Sequence, residues 1–503
     1  MAKYKIKVNV ELAECDESIN NEPMKHDNGN FTMTISEQDA ISIDKCESSI
    51  LRTAYPTIRD AISKHLTEIS KKKAEERNSK KEVIANPHPY QVDGEVGRFT
   101  FTTHSVLHNG QNQYNTGREV FAELKGREFY RTAGFKEIAV IYGDTEKSYR
   151  KTTQLINRIR HQKQDGTPSR TLHESTEREG TDLLDHIEEK SKRILEETGF
   201  SKDGTCQGSK TEYANDQPAI MAKNEVAVAI ETCCECCDFP DDILNNPVAY
   251  EDPEESINIA IDDVIVKKQE EIRKGGRKTE RGKRKYVHNT VAHVAQSGVS
   301  YILNGHGIKN VLLFLTAFIF HNGLIKNRFQ FFTDGHKTLN ETILKWFSWY
   351  KNIGLILDWF HLEKKCKEQL SLAMKGRVVR NQMLDKLMPL LWYGLTDKAI
   401  AFLEEIESGF IKDKNAMERL ITYLKRNRPY IPCYAVRKEL GLRNSSAIGE
   451  KMNDLVVSER QKHNGMSWSK DGSVALATIT SLKRNKEYKR WFEEKEIDFK
   501  LAA

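Results

Sequence analysis

Apolar and polar residues alternate with period two in KYKIKVNVEL (3–12) and GNFTMTISEQ (29–38), a spacing that sends successive side chains to opposite faces and predicts two half-buried strands. From about Ser48 to Lys81 the apolar spacing becomes helical and closes in the basic run KKKAEERNSKK, so residues 1–90 read as a small mixed α/β domain. GRFTFTTHSVLHNG (97–110) returns to strand-like alternation, as part of a hairpin. FYRTAGFKEIAVIYGDTEKSYRKTTQLINRIRHQ (129–162) predicts two helices broken at Gly143 and Asp144. Asp144 or Thr145 would cap the second, turning Leu155, Ile156 and Ile159 inward and leaving Arg150, Lys151, Arg158 and Arg160 available to phosphates. Residues 91–165 thus form a hairpin followed by a helix-turn-helix-like DNA-binding segment, in an α+β N-terminal region. HQKQDGTPSRTLHESTEREGT (161–181) is polar and punctuated by Gly and Pro; with the charged helix expected from about Asp182 to Thr198 it makes 166–250 a linker and helical segment.

A different pattern starts at Ser256. SINIAIDDVIVKKQEE alternates Ile257, Ile259 and Ile261 before Asp262 and Asp263, a strand with carboxylates near its end. VHNTVAHVAQSGVSYILNG predicts paired strands, IKNVLLFLTAFIFHNGLI a buried helix, and RFQFFTDG a strand ending at Asp334. GLILDWFH places a second aspartate, Asp358, at the end of an apolar run. About eighty residues of i, i+3, i+4 spacing follow, an all-α insertion over 361–444 that divides an α/β core into 251–360 and 445–503. In the last segment Ser445 or Ser446 would cap a helix running to about Asn464, with Gly465 closing it.

Charge changes this picture only locally. Lys and Arg number 78 against 73 Asp and Glu, so a net charge of +5 is weak evidence for a polyanionic partner. The clustering is stronger: IRKGGRKTERGKRKY carries Arg273, Lys274, Arg277, Lys278, Arg281, Lys283, Arg284 and Lys285 between glycines, a cationic loop suited to a DNA backbone. No apolar run approaches the roughly 20 residues that span a bilayer and the first residues lack a signal peptide's apolar block, so a soluble, intracellular protein is expected. Nine cysteines, an odd number, argue against a disulfide scaffold. The cluster Cys233, Cys234, Cys236 and Cys237 offers half a zinc site without a second Cys or His pair nearby; a reduced, cysteine-rich helix end is the competing reading.

A carboxylate at the edge of a buried strand is costly unless a cation meets it. Asp262, Asp334 and a glutamate on the last helix supply three carboxylates from separated segments, the hard-oxygen set that two Mg2+ (or Mn2+) ions require for phosphoryl transfer on nucleic acid. Adjacent Asp262 and Asp263 point to opposite faces of a strand, so one of them reaches the metals. On the helix Glu450 and Glu459 lie about 180° apart at 100° per residue, and Glu459 shares the side of Ile448, Met452 and Leu455, so amphipathicity alone favours Glu459.

These residues carry a resemblance. INIAIDD, FFTDG, the (C/D)-x-x-H signature in Asp358 to His361, and IGEKMNDLVVSERQKHNGMSWS resemble a bacterial insertion-sequence transposase of the DDE type, with the RNase H-like core of the Mutator-related superfamily. The match covers about Ser256 to Asn485 and is most specific in the last motif, where Glu450 is followed by Arg460 and the Gly465, Met466, Trp468 turn. The resemblance implies an RNase H-like mixed sheet flanked by helices, and Asp262, Asp334 and Glu450 as catalytic metal ligands for two Mg2+ or Mn2+ ions. It puts Asp358, His361, Arg460 and Trp468 around them, with His361 either close to the site or a satisfied core histidine. Trp359 and Trp468 read as packing residues first. The implied activity is cleavage at transposon ends and strand transfer into target DNA. The implied partners are double-stranded terminal repeats and target DNA, bound by a homodimer or higher assembly in a bacterial cytoplasm, at the nucleoid. Two alternatives stay open: an inactive DNA-binding protein derived from such an enzyme, and a structure-selective nuclease on the same core, which cuts without joining.

Overall fold

The structure, a computed structural model, describes residues 3–9, 30–36, 42–78, 83–84, 88–109, 111–125, 129–145, 148–163, 166–206, 220–235, 240–244, 250–269, 286–445, 447–462 and 466–501. It is a mixed α/β chain divided into two compact units, Met1–Arg178 with Tyr488–Glu496, and Glu179–Glu487 with Ile497–Ala503. Among the described residues no helix is long and apolar enough to cross a membrane.

In the first unit β1 (Lys3–Asn9) and β2 (Asn30–Ser36) pair antiparallel. Helix α1 (Ile43–Arg77) buries small residues, among them Thr53, Thr57 and Ala61 at four-residue spacing, and packs against the strand Gly97–Thr103. The strands β3 (Val83–Ile84), β4 (His88–Gly94), β5 (Gly97–Thr103), β6 (Ser105–His108), β7 (Gln111–Asn115) and β8 (Phe129–Arg131) form two three-stranded sheets, β3-β6-β7 and β5-β4-β8. Tyr90, Val92, Phe101 and Leu124 are the core over the second sheet.

Several expectations for this unit are corrected. Helix α2 (Ala133–Thr145) runs through Gly143 and Asp144, and α3 (Tyr149–Ile159) is capped by Ser148, whose side chain accepts the Lys151 N–H at 3.2 Å. The inward face of α3 holds Thr152, Thr153, Ile156 and Asn157, while Leu155 and Ile159 are exposed. A polar knot outweighs the aliphatic pattern: Asn157 exchanges two 3.1 Å bonds with the Thr167 backbone. Arg160, expected to be available to phosphates, is buried; it donates to Thr167 Oγ1 at 3.0 Å and to the Gly94 carbonyl, and lies 4.7 Å from the Phe135 ring centroid. Finally, the polar stretch read as a linker is helical from Ser169, in α4 (Ser169–Glu197). Its buried face is built from Thr171, Leu172, Ser175, Thr176 and Glu179, a helical period written mostly in hydroxyls and so invisible to an apolar count.

The second unit contains α5 (Lys223–Glu235) and a five-stranded mixed sheet of β9 (Ser256–Lys267), β10 (Tyr286–Gln296), β11 (Val299–Gly305), β12 (Arg328–Thr333) and β13 (Ile353–Leu357). Its order is β11-β10-β9-β12-β13; β9, β10 and β11 are antiparallel, and β12 is parallel to both β9 and β13. Ser297 and Gly298, both at positive φ (45° and 87°), make the two-residue turn that joins β10 to β11. Helix α6 (Ile308–His321) covers one face, its Phe318 ring against Tyr301, and α7 (Lys337–Trp346) returns the chain from β12 to β13. After β13 come α8 (Trp359–Ala373), α9 (Arg377–Trp392), α10 (Thr396–Glu404), α11 (Lys414–Asn427) and α12 (Tyr434–Glu439), sharing a core of Leu362, Leu370, Leu387, Leu391, Leu420 and Leu424. Helices α13 (Ala447–Asn453) and α14 (Lys470–Arg484) pack on the other face of the sheet, where Asn304 donates to Thr478 at 3.0 Å. The last helix, α15 (Tyr488–Glu494), belongs to the first unit.

Two further corrections follow. Strand β9 does not stop near its aspartates but continues five residues past Asp262 to Lys267, because Val264 and Val266 have a core of their own with Val287, Val457 and Trp468. The closing helix expected from Ser445 or Ser446 to Asn464 is broken, since α13 gives way to a π-helical turn at Asp454–Ser458. Gly465 lies outside the described residues.

Candidate active site

Strand register brings three aspartates to one level. The last residues paired across β9, β12 and β13 include Ala260, Phe332 and Ile356, side by side. Two residues further along each parallel strand, on the same face, stand Asp262, Asp334 and Asp358. The Asp358 N–H still bonds the Thr333 carbonyl at 2.9 Å, so the ladder holds up to that level. Although β9 runs on, its neighbour β12 ends there, which leaves Asp262 beside an opening in the sheet.

Each aspartate is fixed differently. Asp262 is partly buried; its Oδ1 accepts the Asp263 N–H at 2.8 Å and its Oδ2 accepts Asn453 Nδ2 at 2.9 Å. Asp334 begins a turn in which its Oδ1 accepts the His336 N–H at 2.8 Å. Gly335 takes φ +78°, and a Cβ there would come within 2.8 Å of Leu357 Cδ1 and 2.9 Å of Asn427 Oδ1. The helical segment clamps the same turn from above: Tyr423 Oη donates to the Asp334 carbonyl at 3.1 Å and Arg426 to the Gly335 carbonyl at 2.9 Å. Asp358 is fully buried and caps α8, accepting the His361 N–H at 3.2 Å, with His361 Nδ1 3.6 Å from the same carboxylate.

These groups feel one another. Burial first, then the Asp334 charge, hold the Asp262 carboxyl above the ordinary carboxylate range, while the Asp263 N–H and His361 pull it down. His361 therefore lies within electrostatic reach of Asp262 while paired with Asp358. Two carboxylates in mutual repulsion with so little cationic compensation suit a hard divalent cation.

Of the remaining candidates, Asp263 points away: it is exposed, accepts from Thr290 Oγ1 and lies 4.0 Å from His288 Nδ1. Glu450 sits on α13 one turn before Asn453, the residue that touches Asp262; its side chain is outside the described residues. Glu459 is exposed beyond the π-helical turn. Arg460 is buried, with its guanidinium 5.5 Å from the Trp468 ring centroid and 3.6 Å from Met466 Sδ. Trp468 is a packing residue: its indole N–H bonds the Gln461 carbonyl at 3.2 Å, and its backbone bridges to β9 through Lys267 and Gln269. Trp359 likewise packs edge-on against Trp392 and tilted against Tyr434, at 4.8 and 5.0 Å between ring centroids. The basic loop from Arg273 to Lys285 lies outside the described residues, between β9 and β10. So do Cys236 and Cys237; Cys233 packs with Tyr250, Cys433 and Val436. Among the described residues no group of three or more His, Cys, Asp or Glu is placed to hold a metal ion, and Glu450 is not among the side chains this covers.

Sequence reasoning missed Asn453, Tyr423 and Arg426. The first had a signal, being three residues after Glu450 on one helix face; the other two act through backbone carbonyls from a distant helix and had none. In the N-terminal unit Arg150, Lys151 and Arg158 are exposed on α3, as are Leu155 and Ile159.

Compared with known proteins, the chain matches no family model, and no curated protein matches it.

Proposed function

We propose that the second unit is the catalytic core of a DDE-type DNA transposase, cutting at transposon ends and joining them to target DNA. The observation that carries this reading is the alignment of Asp262 and Asp334 on neighbouring parallel strands, electrostatically coupled, with the Glu450 helix anchored on Asp262 through Asn453. The strand order, three antiparallel strands followed by two parallel ones, with helices on both faces and an all-α insertion after the fifth, supports an RNase H-like core. Asp358 and His361, paired beside Asp262, support the resemblance to the (C/D)-x-x-H signature.

The donor set fits Mg2+ or Mn2+. Asp262 and Asp334 offer hard oxygens, and Glu450 is the residue that would complete the cage. Two such ions, when bound, supply an activated water or 3′-hydroxyl and stabilise the leaving oxygen in an in-line displacement. The chain's own part is positional: Asn453 orients Asp262, the His336 N–H and the Tyr423 and Arg426 clamp fix the Asp334 turn, and Asp358 holds His361 at the rim. The exposed basic face of α3, the helix that follows α2 in the sequence, supports a helix-turn-helix reading for end binding.

The test is cleavage of duplex DNA carrying the element's ends, with Mg2+. Asp334→Ala is expected to abolish cleavage while end binding persists; retained cleavage would sink the assignment. Precut ends separate a transposase, which joins them to target DNA, from a nuclease, which does not.

A further inference from the structure

We infer that Arg443 is an anion-binding residue on the catalytic face of the sheet, taking a phosphate oxygen of the nucleic-acid strand that reaches Asp262 and Asp334. The inference rests on the phosphoryl-transfer reading above and adds to it a residue outside the carboxylate set.

Arg443 stands on the loop between α12 and α13, and this loop is pinned on both sides. Its carbonyl accepts Nε (3.2 Å) and Nη2 (2.8 Å) of Arg437, whose guanidinium is locked to buried Glu251. Next to it, the Asn444 carbonyl accepts the Trp359 N–H at 3.1 Å, one residue from Asp358, and Asn444 Nδ2 donates to the Tyr434 carbonyl at 2.7 Å. Tyr434 in turn donates to the carbonyl of Leu357, the residue before Asp358, at 2.6 Å. Arg443 is thereby held at the strand ends where the acidic residues gather.

His293 lies within electrostatic reach of the Arg443 guanidinium. This histidine, buried on β10, pairs across the sheet with Ala260, two residues before Asp262 and on the same face. Burial first, and then the Arg443 charge, hold the imidazole down to about 4, so it is neutral near pH 7. Burial also lowers the Arg443 guanidinium itself, and no described carboxylate forms an ion pair with it. Two other arginines of this chain have counter-ions, Arg437 in Glu251 and Arg98 in Asp93. A half-buried guanidinium on a pinned loop, without a counter-ion of its own, is open to an external anion, and its planar fork matches phosphate oxygens.

The experiment compares the full-length protein with Arg443→Lys and Arg443→Met. Duplex binding is followed against salt by fluorescence anisotropy, and thermal unfolding is followed with and without millimolar inorganic phosphate. Arg443→Met is expected to weaken duplex binding and flatten the slope of log K against log salt by about 0.9, the release of one counterion, while Arg443→Lys keeps the slope. Without ligand its Tm should equal or exceed that of the wild type, and phosphate should raise the wild-type Tm more than the variant's. An unchanged slope and equal phosphate shifts overturn the inference, as does a Tm several degrees lower for Arg443→Met, which marks a structural arginine. A wild type that binds no duplex yet keeps the Arg443-dependent phosphate shift removes the transposase reading and leaves the anion site standing.

Discussion

Replacing Glu251 with glutamine strands a charge in the interior of the second unit. Glu251 and Arg437 are joined at 2.8 and 2.5 Å, and their side chains are only 4% and 3% exposed. Gln keeps the shape and one acceptor but removes the countercharge. Breaking a buried pair from one side costs about 3 to 5 kcal/mol, because the surviving ion can neither be solvated nor neutralised. The surroundings push toward the upper end, since Glu251 also acts on Arg328, which Arg437 repels; without the carboxylate two arginines face each other. At about 1.4 kcal/mol per tenfold, the folding equilibrium should fall by two to three and a half powers of ten. Urea unfolding followed by intrinsic fluorescence reads this well, because Trp346, Trp349, Trp359, Trp392 and Trp468 lie in the second unit and Trp491 alone in the first. The double variant Glu251→Leu with Arg437→Met should recover most of the loss, as apolar replacements of a whole buried pair do. A loss under about 1 kcal/mol for the glutamine variant, or a double variant no better than it, would refute the reasoning.

The raised carboxyl of Asp262 has the opposite sign to a stabilising carboxylate: its ionisation costs folding free energy that is absent in acid and fully present once pH exceeds the folded pKa. Asp262→Asn should therefore raise the Tm of the metal-free protein at neutral pH, with the gain vanishing in acid, and should reduce the stabilisation by Mg2+ in the same melting assay. Gly180→Ala places a Cβ 2.3 Å from the Ala475 carbonyl oxygen, a backbone atom that cannot step aside, so a loss of about 1 to 3 kcal/mol is expected in urea unfolding. Lys151→Gln and Arg158→Gln should each flatten the salt slope of duplex binding by about 0.9 with stability within about 0.5 kcal/mol. Arg160→Met should leave the slope unchanged and destabilise the first unit, since Arg160 is buried against Thr167, Gly94 and Phe135.

What was legible in the chain was what hydrophobic periodicity encodes. The strands around Ile257, Phe331 and Ile356, the buried helix from Ile308 and the helical block after Asp358 all bury a face written in aliphatic and aromatic residues. Where a buried face is polar the same reading fails, as in α4 with Ser175 and Thr176, or in α3 where Asn157 and Arg160 point in and Leu155 points out. The choice of Asp262 over Asp263 was open to strand geometry plus resemblance, and the structure separates them by face. Alignment of Asp334 with Asp262 was not readable, because parallel register depends on where β12 lies against β9 and no local residue states it.

The third carboxylate shows how one local departure can reverse a correct-looking calculation. At 100° per residue, Glu459 falls on the stripe of Met452 and Leu455 and should turn inward. The chain instead passes through the π-helical turn Asp454–Ser458, and a π turn accommodates one extra residue, setting everything beyond it back by about 100°. The angular place computed for Glu459 then passes to the next residue. Arg460 is indeed 5% exposed and seated against Trp468, while Glu459 is exposed. Upstream of the π turn the register is undisturbed, and there Asn453 reaches Asp262 with Glu450 one turn behind it. The same turn that removes Glu459 from the interior leaves Glu450 on the helix segment that touches Asp262, so the apolar stripe and the site stop competing for one face.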